Sequence, residues 1–338
     1  MKLLFARFFG TFLLTLLPAT LAVGHEACFS ADGNSVYLLG YHSIGEVRRL
    51  EINSGESTLL QFEGLKSDDP INAIARGDDN TLLLANSTGI WESGPDGGAT
   101  RLLVKLTNIA VRDLVMAPAQ AKAQTGMILV SGMPTGDDAG PGSLTLYAAL
   151  SGKSTLQEVF CRRVTWVEAP IFATDGRLFY AGDHDLWEGS IYTEEGEDFR
   201  AGTLNGCRIA PLGIFNTDMA NSGSMGVKQI APAGEFLYVR LSGRHMGGLL
   251  RLPLPPSPYG NDDEGHPELP RSLSLMMNNL ASTEIVIEGE ISALAASPDG
   301  SRVFYRINAS GEEVGQDWML ITDGGAPRRI GLEKWSEQ

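Results

Sequence analysis

From about residue 25 onward, apolar residues fall in short runs of Leu, β-branched and aromatic side chains. Each run is closed by a turn rich in Gly, Asp or Asn. Such runs suit pleated, half-buried strands, and Asp-Gly or Gly-rich pairs supply the positive φ that tight turns need. One unit recurs. Its clearest copy is Ile291-Ser-Ala-Leu-Ala-Ala-Ser-Pro-Asp-Gly300, then Arg302-Val-Phe-Tyr305, Trp318-Met-Leu-Ile321, Asp323-Gly-Gly325 and Arg329-Ile330. A similar order opens at Cys28-Phe-Ser-Ala-Asp-Gly33, followed by Val36-Tyr-Leu-Leu39, Val47 to Ile52 and Thr58-Leu-Leu60.

Four looser copies lie between these two. They start near Ile71, Val111, Pro170 and Val227, and their first turns fall near residues 78, 125, 176 and 234. With the turns at 33 and 300, the spacing is roughly 45 to 66 residues, widening where polar or Pro-rich insertions occur. Each copy predicts four short antiparallel strands. The best helical candidate, Leu269–Ala281, is short and at most amphipathic.

A four-stranded sheet with two apolar faces and two open edges cannot stand alone. Six such sheets packed face to face around an axis bury both faces, so the expected fold is all-β, a six-bladed β-propeller of four-stranded antiparallel blades over residues 25–332. A pair of β-sandwiches or an irregular solenoid would not call for a turn motif at this period. The unit Ser-Pro-Asp-Gly-x-x-[Val/Ile]-x-[Tyr/Phe] resembles the WD40-like repeats of TolB-type propellers (PD40 repeats), found in exported bacterial proteins. The resemblance is clear at Ser297–Tyr305 and good at Ser30–Leu38 and Thr174–Tyr180. It implies architecture more than activity, because propellers of this kind include scaffolds, peptide-binding modules and enzyme accessory domains.

The first residues read as a delivery signal. Lys2 and Arg7 mark a positive start, Phe8 to Ala22 form an apolar run, and small residues follow at Ala22 and Gly24. The run is shorter than the roughly 20 apolar residues that span a bilayer. Residues 1–24 are therefore expected to be a signal peptide, with an uncleaved anchor as the alternative. Residues 333–338 form a tail. The expected location is periplasmic or secreted, with no transmembrane span after cleavage. The formal charge of -15 becomes -17 once Lys2 and Arg7 leave, which argues against nucleic acid as a partner.

Export makes the cysteines informative. Cys28, Cys161 and Cys207 are odd in number, so at least one lacks an intramolecular partner. Cys161 and Cys207 read as equivalent positions near the last strands of adjacent blades, and whether they pair stays open. Trp91, Trp187 and Trp318, in or just before third strands, are expected to pack blade against blade.

In a propeller the innermost strands line an axial channel. The residues opening those strands are His25 and Glu26, Asn72, Arg112 and Asp113, Glu168, Lys228 and Gln229, and Ser292. They either satisfy one another around a narrow channel or form a pocket for a small ligand or metal. One version is specific. Glu168-Ala-Pro-Ile-Phe172, with Asp175-Gly-Arg177 after it, is similar to the Glu-x-Pro strand opening of calcium-dependent, gluconolactonase-type propellers. That resemblance implies Glu168 as a metal ligand, with Asn72 as a second ligand in an oxygen shell suited to Ca²⁺. The pattern departs at Ser292, where a stronger ligand is expected. No catalytic Asp can be matched, and Arg112 and Lys228 bring positive charge.

Other chemistries lack their residues. No Gly-x-Ser-x-Gly elbow is present, and none of His25, His42, His184, His245 and His266 is paired at ligand spacing. Asp183-His184-Asp185 reads as a blade turn. Gly243–Gly248 opens no helix and so offers no phosphate site. The Pro-rich and acidic insertion 253–281 within the fifth blade is the expected partner loop, and Gly132–Gly142 is a plain polar loop. The leading expectation is a non-enzymatic scaffold of the cell envelope that binds a protein partner or small ligand. The alternative is a calcium-dependent lactonase.

Overall fold

The computed structural model describes residues 26–40, 44–135, 144–149, 154–192, 202–212, 226–242, 247–257, 273–307 and 317–330. The expected signal peptide, His25, His42, His245, His266 and the C-terminal tail lie outside these residues. So do 136–142 of the loop Gly132–Gly142 and 258–272 of the insertion 253–281.

The chain is an all-β, six-bladed β-propeller. The first blade is β1 (Ala27–Phe29), β2 (Ser35–Leu39), β3 (Val47–Glu51) and β4 (Ser57–Leu59). The second is β5 (Phe62–Glu63), β6 (Ala73–Arg76), β7 (Leu82–Ala85), β8 (Gly89–Gly94) and β9 (Gly97–Lys105). The third is β10 (Ile109–Met116), β11 (Ile128–Pro134), β12 (Thr145–Ala149) and β13 (Gln157–Glu158). The fourth comprises β14 (Phe160–Cys161), β15 (Val167–Phe172), β16 (Leu178–Gly182), β17 (Asp185–Tyr192) and β18 (Thr203–Ala210). The fifth is β19 (Gly226–Ala233), β20 (Phe236–Ser242), β21 (Gly247–Pro253) and β22 (Glu284–Glu288), with helix α1 (Leu273–Ala281) between the last two strands. The sixth is β23 (Ile291–Ala296), β24 (Arg302–Ile307), β25 (Asp317–Thr322) and β26 (Arg328–Arg329).

Four blades have the expected four strands, and the second and fourth have five. The additional strands, β5 and β14, are the connections from the preceding blade. Each runs parallel to the outermost strand of the blade it is about to enter, β9 and β18 respectively. The amide of Gly98 donates to the Gln61 carbonyl at 2.7 Å, and the Thr100 hydroxyl donates to that of Glu63 at 2.6 Å. These connections thereby cover an edge that would otherwise offer unpaired backbone groups to another chain.

The repeat motif has a physical role. In the sixth blade the Ser297 hydroxyl donates to Asp299 at 2.5 Å and accepts from the Arg302 amide at 2.9 Å, while Asp299 also accepts from the Ser301 amide at 3.0 Å. Ser30 and Asp32 repeat this arrangement in the first blade. The residue that reverses the chain has positive φ: Gly33 at 69°, Gly176 at 87°, Gly234 at 55° and Gly300 at 70°. In the second blade Asp79 and Asn80 take that place, at 48° and 64°.

β1, β6, β10, β15, β19 and β23 are the innermost strands. Each adjoins the next in sequence, and β23 returns to β1 to close the ring. Among the described residues no strand is exchanged between the first and last blades. Closure rests on side chains: Phe29, Val36, Leu38 and Leu50 of the first blade pack against Phe304, Trp318 and Leu320 of the sixth. Trp91 and Trp187 pack at the seams between the first and second blades and between the third and fourth. α1 packs on the fourth and fifth blades through Leu280, and Asn279 donates to the Ile209 carbonyl at 3.0 Å.

Candidate functional site on the propeller axis

The six inner strands run in the same direction along the axis, so their first residues meet at one end, called the upper end here. Four of the six carry a β-bulge near that opening. The extra residue is Arg112 in β10, Lys228 in β19 and Ser292 in β23, and in β15 the pair Ala169-Pro170 stands opposite Tyr180 alone. A bulge breaks the strict alternation of side chains between sheet faces and re-aims the extra residue. Arg112, Lys228 and Ser292 leave the blade faces for this reason.

The structure brings Glu168, Arg112 and Lys228 together from three successive blades. Arg112 Nη2 lies 2.5 Å from Glu168 Oε1, and Lys228 Nζ lies 3.1 and 3.3 Å from its two carboxylate oxygens. The Glu168 side chain is only 7% exposed, against 21% and 29% for the two cations. Beside it, buried Asp113 accepts the Ala169 amide at 2.9 Å. That bond holds Ala169 at φ 52°, a left-handed conformation that costs a residue with a Cβ about 1 kcal/mol.

A second network faces the fifth, sixth and first blades. Arg240 Nη1 donates to Gln229 Oε1 at 3.1 Å and to the Ser292 carbonyl at 3.0 Å, and lies 3.9 Å from Glu26 Oε1. Burial pushes the Glu26 carboxyl up to about 7, with Arg240 and Arg306 opposing and Glu290 assisting the shift. Burial also lowers Arg240 from its usual value. Ser292 Oγ is buried with no hydrogen-bond partner among the described residues.

Asn72 is not part of either network. It lies in the second blade with the third between it and Glu168, and its amide donates to the Ala85 carbonyl at 2.7 Å. Calcium requires several oxygen donors free to converge. Here both Glu168 oxygens are held by cations, and among the described residues no three His, Cys, Asp or Glu groups converge to hold a metal. As arranged, the donor set does not fit a calcium ion.

Asp183 and His184 form the turn between β16 and β17, at φ 47° and 74°. Asp183 accepts the Thr165 amide at 3.0 Å, the His184 ring meets Trp166 edge-on at 4.7 Å, and Asp185 takes Arg208 at 3.0 Å. These contacts pin the crossing into the fourth blade. Cys161 and Cys207 lie on one blade rather than on adjacent ones, in β14 and β18, and none of the three cysteines is in a disulfide. Sequence reasoning missed Arg240, whose only signal was a charge inside the apolar run Phe236–Leu241, and Arg76, which closes the run Ile74-Ala75.

No protein-family profile and no curated protein matches the chain. Among solved structures the propeller is similar to a gluconolactonase from Xanthomonas campestris (13% identity, 89% of this chain and 88% of that one, TM-score 0.54). It is also similar to regucalcin, a calcium-binding protein, from Agrobacterium tumefaciens (16% identity, 86% and 84% covered, TM-score 0.52). A protein assigned as TolB from the same organism matches at 12% identity, with 85% and 88% covered and a TM-score of 0.50. At such identities the likeness is one of fold. That fold is shared by the TolB-like and the gluconolactonase-like structures alike and selects neither. No helix among the described residues is long and apolar enough to cross a membrane.

Proposed function

We propose that the chain is an exported, non-enzymatic β-propeller of the TolB-like repeat type that binds a protein partner or small ligand in the cell envelope. The observation that supports this reading is that the carboxylates of Glu168 and Asp113 at the upper end of the axis are already engaged by cations and a backbone amide. Glu168 serves Arg112 and Lys228, Asp113 serves the Ala169 amide, and Arg240 serves Gln229 and Ser292. A general base must be within reach of a proton on a bound substrate, and a nucleophile must be within reach of its base. These carboxylates are instead committed to holding three blades in register.

The test is capture of partners from an envelope extract by the tagged protein, with and without residues 258–272. α1 is retained in the deletion because it packs on the blades through Leu280. A discrete partner that is lost with the segment supports the reading and places the contact in the insertion. Capture that the deletion leaves unchanged moves the contact elsewhere, and the absence of any discrete partner or ligand removes the reading.

A second reading, a calcium-dependent lactonase, is favoured by the fold shared with a gluconolactonase and with regucalcin. It requires Arg112 and Lys228 to leave Glu168. Calcium calorimetry on the wild type and Glu168→Gln tests it directly. Equal weak heats reject it. Calcium-dependent lactone hydrolysis that disappears in Glu168→Gln would replace the first reading.

A further inference from the structure

The opposite, lower end of the axis is hollow. A cavity of about 450 Å³ lies among the final residues of all six inner strands and the turns that follow them. Cys28, Arg76, Met116, Phe172, Pro232 and Ser297 line it, one from each blade. This size suits a small organic ligand, for which sites of roughly 300–1,000 Å³ are usual. Each inner strand is the edge of its sheet, so its axis-facing amides and carbonyls have no ladder partner. The wall therefore offers hydrogen-bonding groups between patches of apolar side chain.

Arg76 is the one cationic side chain in this lining. Ile74 packs into the seam between the first and second blades. Two residues further along the strand, Arg76 faces the same way and comes near Cys28 of β1, close enough for each to affect the other's ionisation. Among the described residues nothing hydrogen-bonds or ion-pairs with its guanidinium. Other arginines of the fold differ: Arg177 has Asp175, Arg208 has Asp185 and Arg251 has Glu284. Burial disfavours the charge on Arg76, and it pushes the Cys28 thiol up to about 12, so Cys28 supplies no counter-charge. A half-buried cation without an anion is a cost to folding, which a bound anion would reduce.

We infer that the lower axial cavity binds a small organic monocarboxylate, its carboxylate paired with the Arg76 guanidinium and its apolar body lying toward Met116, Phe172 and Pro232. The planar guanidinium fork matches a carboxylate through two parallel hydrogen bonds. A single cation suits a single negative charge, and the exposed Asp78 and Asp79 of the adjoining turn oppose a more highly charged anion. This deepens the binding reading given above but stands on residues that reading does not use.

Calorimetry with octanoate as the probe, and n-octanol and octylammonium as charge controls, tests the site on wild type, Arg76→Met and Arg76→Lys. Octanoate is expected to bind the wild type at a single site and to weaken by about tenfold or more in Arg76→Met, the loss of a charge-assisted pair. The lysine variant falls between. The affinity for n-octanol is expected not to change, and octylammonium is expected to be rejected. Arg76→Met without ligand should melt no lower than the wild type, because it removes an uncompensated charge. Absence of octanoate binding, equal affinity in Arg76→Met, or a lower melting temperature for Arg76→Met would each overturn the proposal. Partner capture from envelope extract is read separately, so failure at Arg76 leaves that result standing.

Discussion

The two ends of the propeller axis solve opposite problems. At the upper end Arg112 and Lys228 share Glu168, Asp113 holds the Ala169 amide and Arg240 bridges Gln229 and the Ser292 carbonyl; at the lower end a single guanidinium borders an open volume. The difference traces to backbone register. Bulges in β10, β15, β19 and β23 turn side chains toward the axis at the upper end. Past the bulges pairing is regular, side chains alternate into the seams between blades, and many are small: Ala75, Ala117, Ala173, Ala231 and Ala295. These small residues leave space in the middle. A propeller can thus be plugged at one end and hollow at the other through a one-residue change in strand pairing.

Breaking the plug should give the largest effect. Glu168→Gln leaves Arg112 and Lys228 facing each other without their shared anion, and should destabilise the fold by about 3 kcal/mol in chemical denaturation. A loss below about 0.5 kcal/mol would mean that the three charges are solvated and the upper end is open, as a ligand site requires.

The pH dependence of Glu26 sharpens the contrast. In the folded chain its carboxyl stays protonated up to about 7, whereas unfolded it ionises near 4.5. The folded form holds a proton that the unfolded form has released, so this contribution to stability is complete below 4.5 and is lost as pH rises through 7. The difference amounts to about 3 kcal/mol at most. Glu26→Gln should abolish that slope and be the more stable protein at pH 8; parallel pH profiles for the two proteins would contradict it.

A smaller change is expected at Asp113. Asp113→Ala strips the Ala169 amide of its acceptor in a buried site, at a cost of about 2 kcal/mol. Its pattern of amide exchange should loosen around β15 and leave the lower cavity unchanged. The control lies away from the axis: Arg101, 72% exposed and paired with Glu92, should lose less than about 0.5 kcal/mol on substitution by Ala. If Arg101→Ala costs as much as Glu168→Gln, the axis is not special.

Much of the architecture was legible along the chain. Ser30-Ala-Asp-Gly33 and Ser297-Pro-Asp-Gly300 announce their turns through local chemistry, a hydroxyl and a carboxylate satisfying nearby amides and a glycine taking positive φ. Trp318 lies where a third strand must bury it against the next blade. The residues opening the inner strands were also readable, Glu168, Arg112 and Lys228 among them. Their mutual engagement was not, because it joins groups 56 to 60 residues apart in sequence through bulges with no signature of their own. Asn72 shows the converse, a residue type suited to a ligand that the ring order keeps a blade away from Glu168.

Local patterning, then, determined the strands, their turns and their number of repeats, since those depend on period-two burial and on backbone conformations that neighbouring residues set. Only the closed ring decided which charges meet, which stay alone and where space remains. Those outcomes depend on how six edges converge on one axis, and no stretch of chain carries that distance within itself.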